Sequence, residues 1–118
     1  MAETPPASLW TYVCRSCRVI DGDTVEAELD LGFSVSTKVR IRLARINAPE
    51  MSTAEGVVSK KWLESILDGK EIIVRTRKLK SGNEHDPYGR FLGELFVGDL
   101  NVNDLSVEKG QSVIYKGK

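Results

Sequence analysis

From Val25 to Leu43 apolar and charged residues alternate almost without a break. Val25, Ala27, Leu29 and Leu31 are separated by Glu26, Glu28 and Asp30; after Gly32-Phe33-Ser34, Val35, Thr37, Val39, Ile41 and Leu43 alternate with Lys38, Arg40 and Arg42. A period of two sends successive side chains to opposite faces of an extended chain, so this stretch cannot be an amphipathic helix. It reads as two long antiparallel strands joined by a tight turn, each with one buried face. The outer face of the first strand is acidic and that of the second basic, and opposite charges across such a pair contribute about 0.2–1 kcal/mol each. That pairing accounts for much of the chain's charge. Lys+Arg and Asp+Glu are both 17, giving a net charge of zero. A uniformly basic nucleic-acid sleeve is excluded, while a local basic patch is not.

The remaining elements follow from similar patterns. Residues 1–8 are polar, carry Pro5 and Pro6, and read as a flexible N-terminal segment ahead of a single domain at 9–118. Leu9–Ile20 reads as a strand, Asp21-Gly22-Asp23 as a turn. Ala44, Arg45 and Ile46 are expected to continue the strand before them until Pro49, which has no N–H for a ladder. Ser52 and Glu55 have capping-box spacing, and Val58, Trp62, Leu63, Ile66 and Leu67 then recur on one helical face, with Gly69 as the stop. Glu71–Lys78 and Phe91–Val97 read as strands on either side of a polar loop, 81–90. Asn103 is expected to cap a short helix, Asp104–Lys109, and Val113–Tyr115 leaves room for a last short strand. Mainly β with helices, this order suits a five-stranded Greek-key barrel of the OB-fold type, with one helix between strands 3 and 4 and a short helix after strand 5. An α+β sandwich fits the same pattern.

Cys14 and Cys17 lie three apart on an expected strand, which places them on opposite faces and makes a disulfide between them geometrically poor. They read as two reduced cysteines, as in an intracellular protein. No apolar run approaches the roughly 18 residues of a membrane span, and no secretory signal opens the chain; a cytoplasmic location is the expectation.

Four short pieces can carry chemistry: Asp21-Gly22-Asp23-Thr24 after Ile20, Arg42 in its strand, Asn47-Ala48-Pro49-Glu50 after Arg42-Leu43-Ala44-Arg45-Ile46, and Tyr88-Gly89-Arg90 after Asp86-Pro87. Each alone is an ordinary turn, strand exit or loop. Together and in this order they resemble the staphylococcal nuclease (thermonuclease) family, and the resemblance runs from about Val13 to Tyr115. It implies a calcium-dependent phosphodiesterase of DNA and RNA, built on a five-stranded barrel. By the same resemblance Asp23 is the principal metal carboxylate, Asp21 its outer-shell partner, and Ala48 a ligand through its backbone carbonyl. Glu50 orients or deprotonates the attacking water, and Arg42 and Arg90 grip the scissile phosphate, a task suited to bidentate guanidinium groups. Tyr88 donates to a neighbouring phosphate and Tyr115 lies beside a base. The expected partners are DNA or RNA, preferably single-stranded, met by a monomer with no membrane association.

Three departures from the family pattern stand out. Asn47 occupies a position where the family has a second metal-binding aspartate; the amide oxygen can still ligate calcium, but one negative charge is lost and weaker binding is expected. The zero net charge predicts weak electrostatic steering of nucleic acid. The chain also ends soon after the second helix, where the family has a closing C-terminal helix. The alternative reading is a catalytically silent barrel that binds nucleic acid or a protein; a purely structural domain is a third.

Overall fold

The computed structural model describes residues 10–76 and 91–115. Among the described residues eight strands and two helices follow one another: β1 (Thr11–Asp21), β2 (Thr24–Gly32), β3 (Val35–Leu43), β4 (Ile46–Asn47), α1 (Ala54–Leu67), β5 (Ile72–Thr76), β6 (Phe91–Val97), β7 (Leu100–Asn101), α2 (Val102–Glu108) and β8 (Val113–Ile114). Strands β3, β2, β1, β5 and β6 pair in that spatial order, and β6 returns to β3 in parallel through Ile41–Leu43. That last pairing closes a five-stranded barrel, with α1 between its third and fourth strands and α2 after its fifth. Closure of this kind removes most of the free sheet edge.

The alternation from Val25 to Leu43 forms the expected antiparallel pair. Val25 pairs with Ile41, Ala27 with Val39 and Leu29 with Thr37, while Glu26 faces Arg40 and Glu28 faces Lys38 across the outer side. Val25, Ala27, Ile41, Leu43, Ile46, Val74, Leu95 and Val102 are fully or almost fully buried and meet Leu63 and Leu67 of α1. Burying each such aliphatic side chain stabilises by about 1.5–3 kcal/mol. The longest helix spans 14 residues, and no helix among the described residues is long and apolar enough to cross a membrane.

Four local expectations are corrected. Cys14 and Cys17 share one face. Cys14 pairs with Leu29 but Ser16 with Glu28, so Arg15 is the extra residue of a β-bulge that resets the alternation. Both thiols are free and point inward, where a hydrogen bond between them lowers the pKa of Cys14 and, with burial, raises that of Cys17. Strand β3 does not run on to Pro49: it stops at Leu43, and Arg45 takes a left-handed φ of 72° that turns the chain into β4. Thr53, not Ser52, caps α1, its hydroxyl accepting from Gly56 N at 3.0 Å. Asn101, not Asn103, caps α2 by accepting from Asp104 N at 3.1 Å. Asn103 is instead fully buried: it accepts from Leu95 N (3.2 Å) and donates to the carbonyls of Ala44 (2.9 Å) and Gly93 (3.2 Å).

The left-handed turn at Arg45 is held from outside by charge. Arg45 reaches Glu94 at 2.9 Å and Asp104 at 2.9 Å, and Arg75 reaches the other Glu94 oxygen at 3.0 Å. Burial works to raise the pKa of the Glu94 carboxyl, but the hydrogen bonds from Arg75 and Arg45 outweigh it and hold the group below its ordinary value. A carboxylate with a depressed folded pKa stabilises above the unfolded value and loses that contribution as the pH falls through the folded value. Glu94→Gln should therefore cost about 1–3 kcal/mol at neutral pH. In urea titrations the gap between wild type and variant should close as the pH drops below about 4.3, the ordinary glutamate value. An equal gap at pH 7 and pH 3 would contradict this role.

Candidate active site

The β1–β2 turn and the exit from β3 converge on one carboxylate. Asp23 is 8% exposed; its Oδ2 accepts from Ala48 N at 2.9 Å, and its Oδ1 accepts from the Thr24 hydroxyl at 3.1 Å. Its backbone carbonyl accepts from Leu43 N at 2.8 Å, and its N–H donates to Asp21 Oδ1 at 3.0 Å. The turn can lie this close to Ala48 because residue 22 has no side chain. A Cβ there would fall 2.2 Å from Ser59 Oγ and 2.7 Å from the Ala48 Cβ. Each Asp23 oxygen has lone-pair capacity left over for a further partner. Burial and the neighbouring Asp23 carboxylate push the Asp21 carboxyl above its usual pKa, as expected for two acids crowded together.

Arg42, at the end of β3, lies on the same carboxylate, with Nη1 at 3.5 Å from Asp23 Oδ2. Nη1 donates to the carbonyls of Leu43 (2.9 Å) and Ile46 (2.8 Å), and Nη2 to Asn47 Oδ1 (3.3 Å). Of the five guanidinium N–H groups, these bonds leave Nε–H and one Nη2–H for another acceptor. The guanidinium carbon sits 5.5 Å from the centroid of the Tyr115 ring, and Tyr115 N donates to Arg45 O at 2.8 Å. A cleft of about 250 Å³ opens beside the site, between Asn47-Ala48-Pro49 and the segment 110–113. A larger one, about 710 Å³, lies away from these residues between β1 and the end of α1.

Glu50 stands just before α1 and is exposed. Its carbonyl accepts from the Thr53 N–H at 3.0 Å and the Thr53 hydroxyl at 2.7 Å. Among the described residues its carboxylate makes no ion pair. Gly56 holds this segment against the helix: a Cβ at residue 56 would stand only 1.9 Å from the Glu50 carbonyl oxygen. Sequence reading had missed Gly56, although a glycine in the first turn of an otherwise regular helix signals a close approach.

Asp21, Asp23, Arg42, Asn47, Ala48 and Tyr115 are thus brought into one neighbourhood, and Glu50 follows Ala48 by two residues. Arg90 and Tyr88 lie outside the described residues. Among the described residues no group of three or more His, Cys, Asp or Glu side chains gathers in a metal-binding cluster. The oxygens at hand are two carboxylates, one amide and backbone carbonyls.

A family model described as staphylococcal nuclease homologue matches residues 40–118, which include the β3 exit and everything after it. The chain belongs to this family. A protein named uncharacterized endonuclease from Escherichia coli O157:H7 is 34% identical over 113 residues, covering 91% of this chain and 67% of the relative. One of the same name from Haemophilus influenzae is 34% identical over 103 residues, covering 87% of this chain and 52% of the relative. A micrococcal nuclease from Shigella flexneri is 28% identical over 108 residues, covering 84% and 56%. Membership and these relatives support a nuclease function.

Replacing a helical glycine by alanine ordinarily stabilises by about 1 kcal/mol, because the unfolded chain then has less backbone freedom to lose. Gly56→Ala should do the reverse and destabilise by about 1–3 kcal/mol, because the new methyl meets the Glu50 carbonyl. Thermal and urea unfolding of the variant check this; a gain in stability would show that Glu50 is not held against the helix.

Proposed function

We propose that the chain is a calcium-dependent phosphodiesterase that cleaves DNA and RNA, preferring single strands. The observation that carries this reading is the junction of Asp23, Asn47, Ala48 and Arg42, where acidic and amide oxygens stand directly against a guanidinium. Hard oxygen donors of this kind suit calcium, and the crowding of Asp21 and Asp23 favours a cation beside them. Asp23, the Asn47 amide and the Ala48 carbonyl would hold the ion, with Asp21 behind them. Bound there, calcium would supply positive charge to a phosphate oxygen.

The protein groups divide the remaining work. Glu50, exposed and unpaired among the described residues, would accept the proton of the attacking water as its oxygen bonds to phosphorus and the bond to the leaving oxygen breaks. Arg42 would present its two remaining N–H groups to the phosphate, where charge develops in a five-coordinate transition state. Arg90 is proposed as the second phosphate ligand and Tyr88 as a hydrogen-bond donor to a neighbouring phosphate. Tyr115, already stacked near Arg42, would border the base. Asn47 in place of a carboxylate, together with the three Arg42 N–H groups spent on protein acceptors, favours the second reading, a silent binding barrel.

An end-labelled single-stranded oligonucleotide decides between them. Cutting is expected with calcium and not with chelator. Glu50→Ala should lower the rate by about 10²–10⁴-fold, and Arg42→Lys, which keeps charge but loses the fork, by about 10²-fold or more. Asn47→Asp should lower the calcium concentration needed for half-maximal rate about tenfold, the equivalent of about 1.4 kcal/mol. Intact DNA and RNA across calcium, magnesium and manganese would leave the silent barrel standing.

A further inference from the structure

Strand β3 continues well past the point where the barrel closes. Strand β6 pairs with it only at Ile41–Leu43, whereas β2 follows it to Val35. From Val35 to Arg40 one edge of β3 has no strand beside it among the described residues. Lys38 and Arg40 are exposed on its outer side, in register with Arg42 at the candidate site. Alternate residues on a strand stand about 6.7 Å apart, close to the separation of successive phosphates along an extended single strand.

The acids next to this row are already engaged. Arg18 takes Glu26 at 3.1 Å, and Arg15 takes Asp30 at 3.6 Å. The hydroxyls of Ser36 (3.0 Å) and Ser16 (3.5 Å) donate to Glu28. Lys38 and Arg40 make no ion pair among the described residues. The row leads to the hairpin tip, about 23 Å along the strand from Arg42. There Phe33 is 99% exposed and, with Ser34, forms a two-residue turn in which both have positive φ (56° and 62°). Such turns favour Asn-Gly, and a bulky aromatic residue in the left-handed region is a costly choice. The barrel core gains nothing from it.

We propose that this edge of the hairpin is a second nucleic-acid site, in which Arg40 and Lys38 take successive phosphates and a base stacks on Phe33. A single strand leaving the candidate site beside Arg42 would run along β3 to the tip. Cations in a line ending on an aromatic face are the recognition chemistry of sequence-tolerant single-strand binding. The inference rests on nucleic acid being the substrate, but it concerns binding and needs no hydrolysis.

Fluorescence anisotropy in chelator, where nothing is cut, tests it with a labelled single strand of about 16 nucleotides and with a trinucleotide. Wild type should bind the long strand more tightly than the trinucleotide. Phe33→Ala should weaken long-strand binding about fivefold or more, the loss of one stacked base. Lys38→Ala and Arg40→Ala should each flatten the dependence of log affinity on log salt by about 0.7. Lys61→Ala, which removes an exposed cation from α1, should change neither. Loss of binding in the hairpin variants of a protein that cuts nothing would support this site while the hydrolytic reading fails. Long-strand binding unaltered by Phe33→Ala, or weakened as much by Lys61→Ala as by Lys38→Ala, would overturn it, and the exposed tip would then serve a protein partner.

Discussion

One buried carboxylate joins the two halves of the candidate site. Asp23 belongs to the turn between β1 and β2, yet its oxygen is fixed by the backbone N–H of Ala48, 25 residues later. Arg42 closes the same junction from the third strand by spanning the carbonyls of Leu43 and Ile46. Without this tie, the chain leaving β3 would have no fixed position relative to the acidic turn, and the Ala48 N–H would not meet Asp23. A buried charge held by hydrogen bonds and a nearby cation is stable where an isolated one is not. The same residues therefore serve folding and the proposed chemistry, and loss of activity on altering them has to be read beside stability.

The rest of the structure supports that junction from behind. The left-handed residue Arg45 turns β3 into β4, held on its outer side by Glu94 and Asp104. The buried amide of Asn103 bonds the Ala44 carbonyl within that turn as well as the backbone of β6. Ser59 of α1 donates to Gln111 O at 2.9 Å and stands against Gly22, so helix, acidic turn and post-α2 segment meet. Small residues at positions 22, 48 and 56 are what let three backbones approach within van der Waals distance.

Much of the barrel was legible because its hairpin writes burial into the sequence at a period of two, and the antiparallel pair over Val25–Leu43 emerged as read. What escaped was everything decided by a single residue of extra length or by a competition between similar side chains. The bulge at Arg15 leaves no mark in composition, yet it turns Cys17 to the same face as Cys14. Asn101 and Asn103 are equally good caps on local grounds; the buried carbonyls of Ala44 and Gly93 recruit the second and leave the helix end to the first. Arg45, an L-residue in a glycine-like conformation, is held by charges from distant segments that no local pattern reports. The acidic turn, Arg42 and Asn47-Ala48 were legible as motifs, but the degree to which Arg42 is committed to protein carbonyls was not. Arg90 and Tyr88 rest on motif alone.

The central claim is that a cation and a phosphate meet at the Asp23–Arg42 junction. A crystal structure of the protein with calcium and a nucleoside bisphosphate tests it most directly. The account predicts calcium at about 2.3–2.6 Å from an Asp23 oxygen, with the phosphate against the free N–H groups of Arg42. Calcium bound elsewhere, or a phosphate seated away from Arg42 with Asp23 still bonded only to protein, would contradict it.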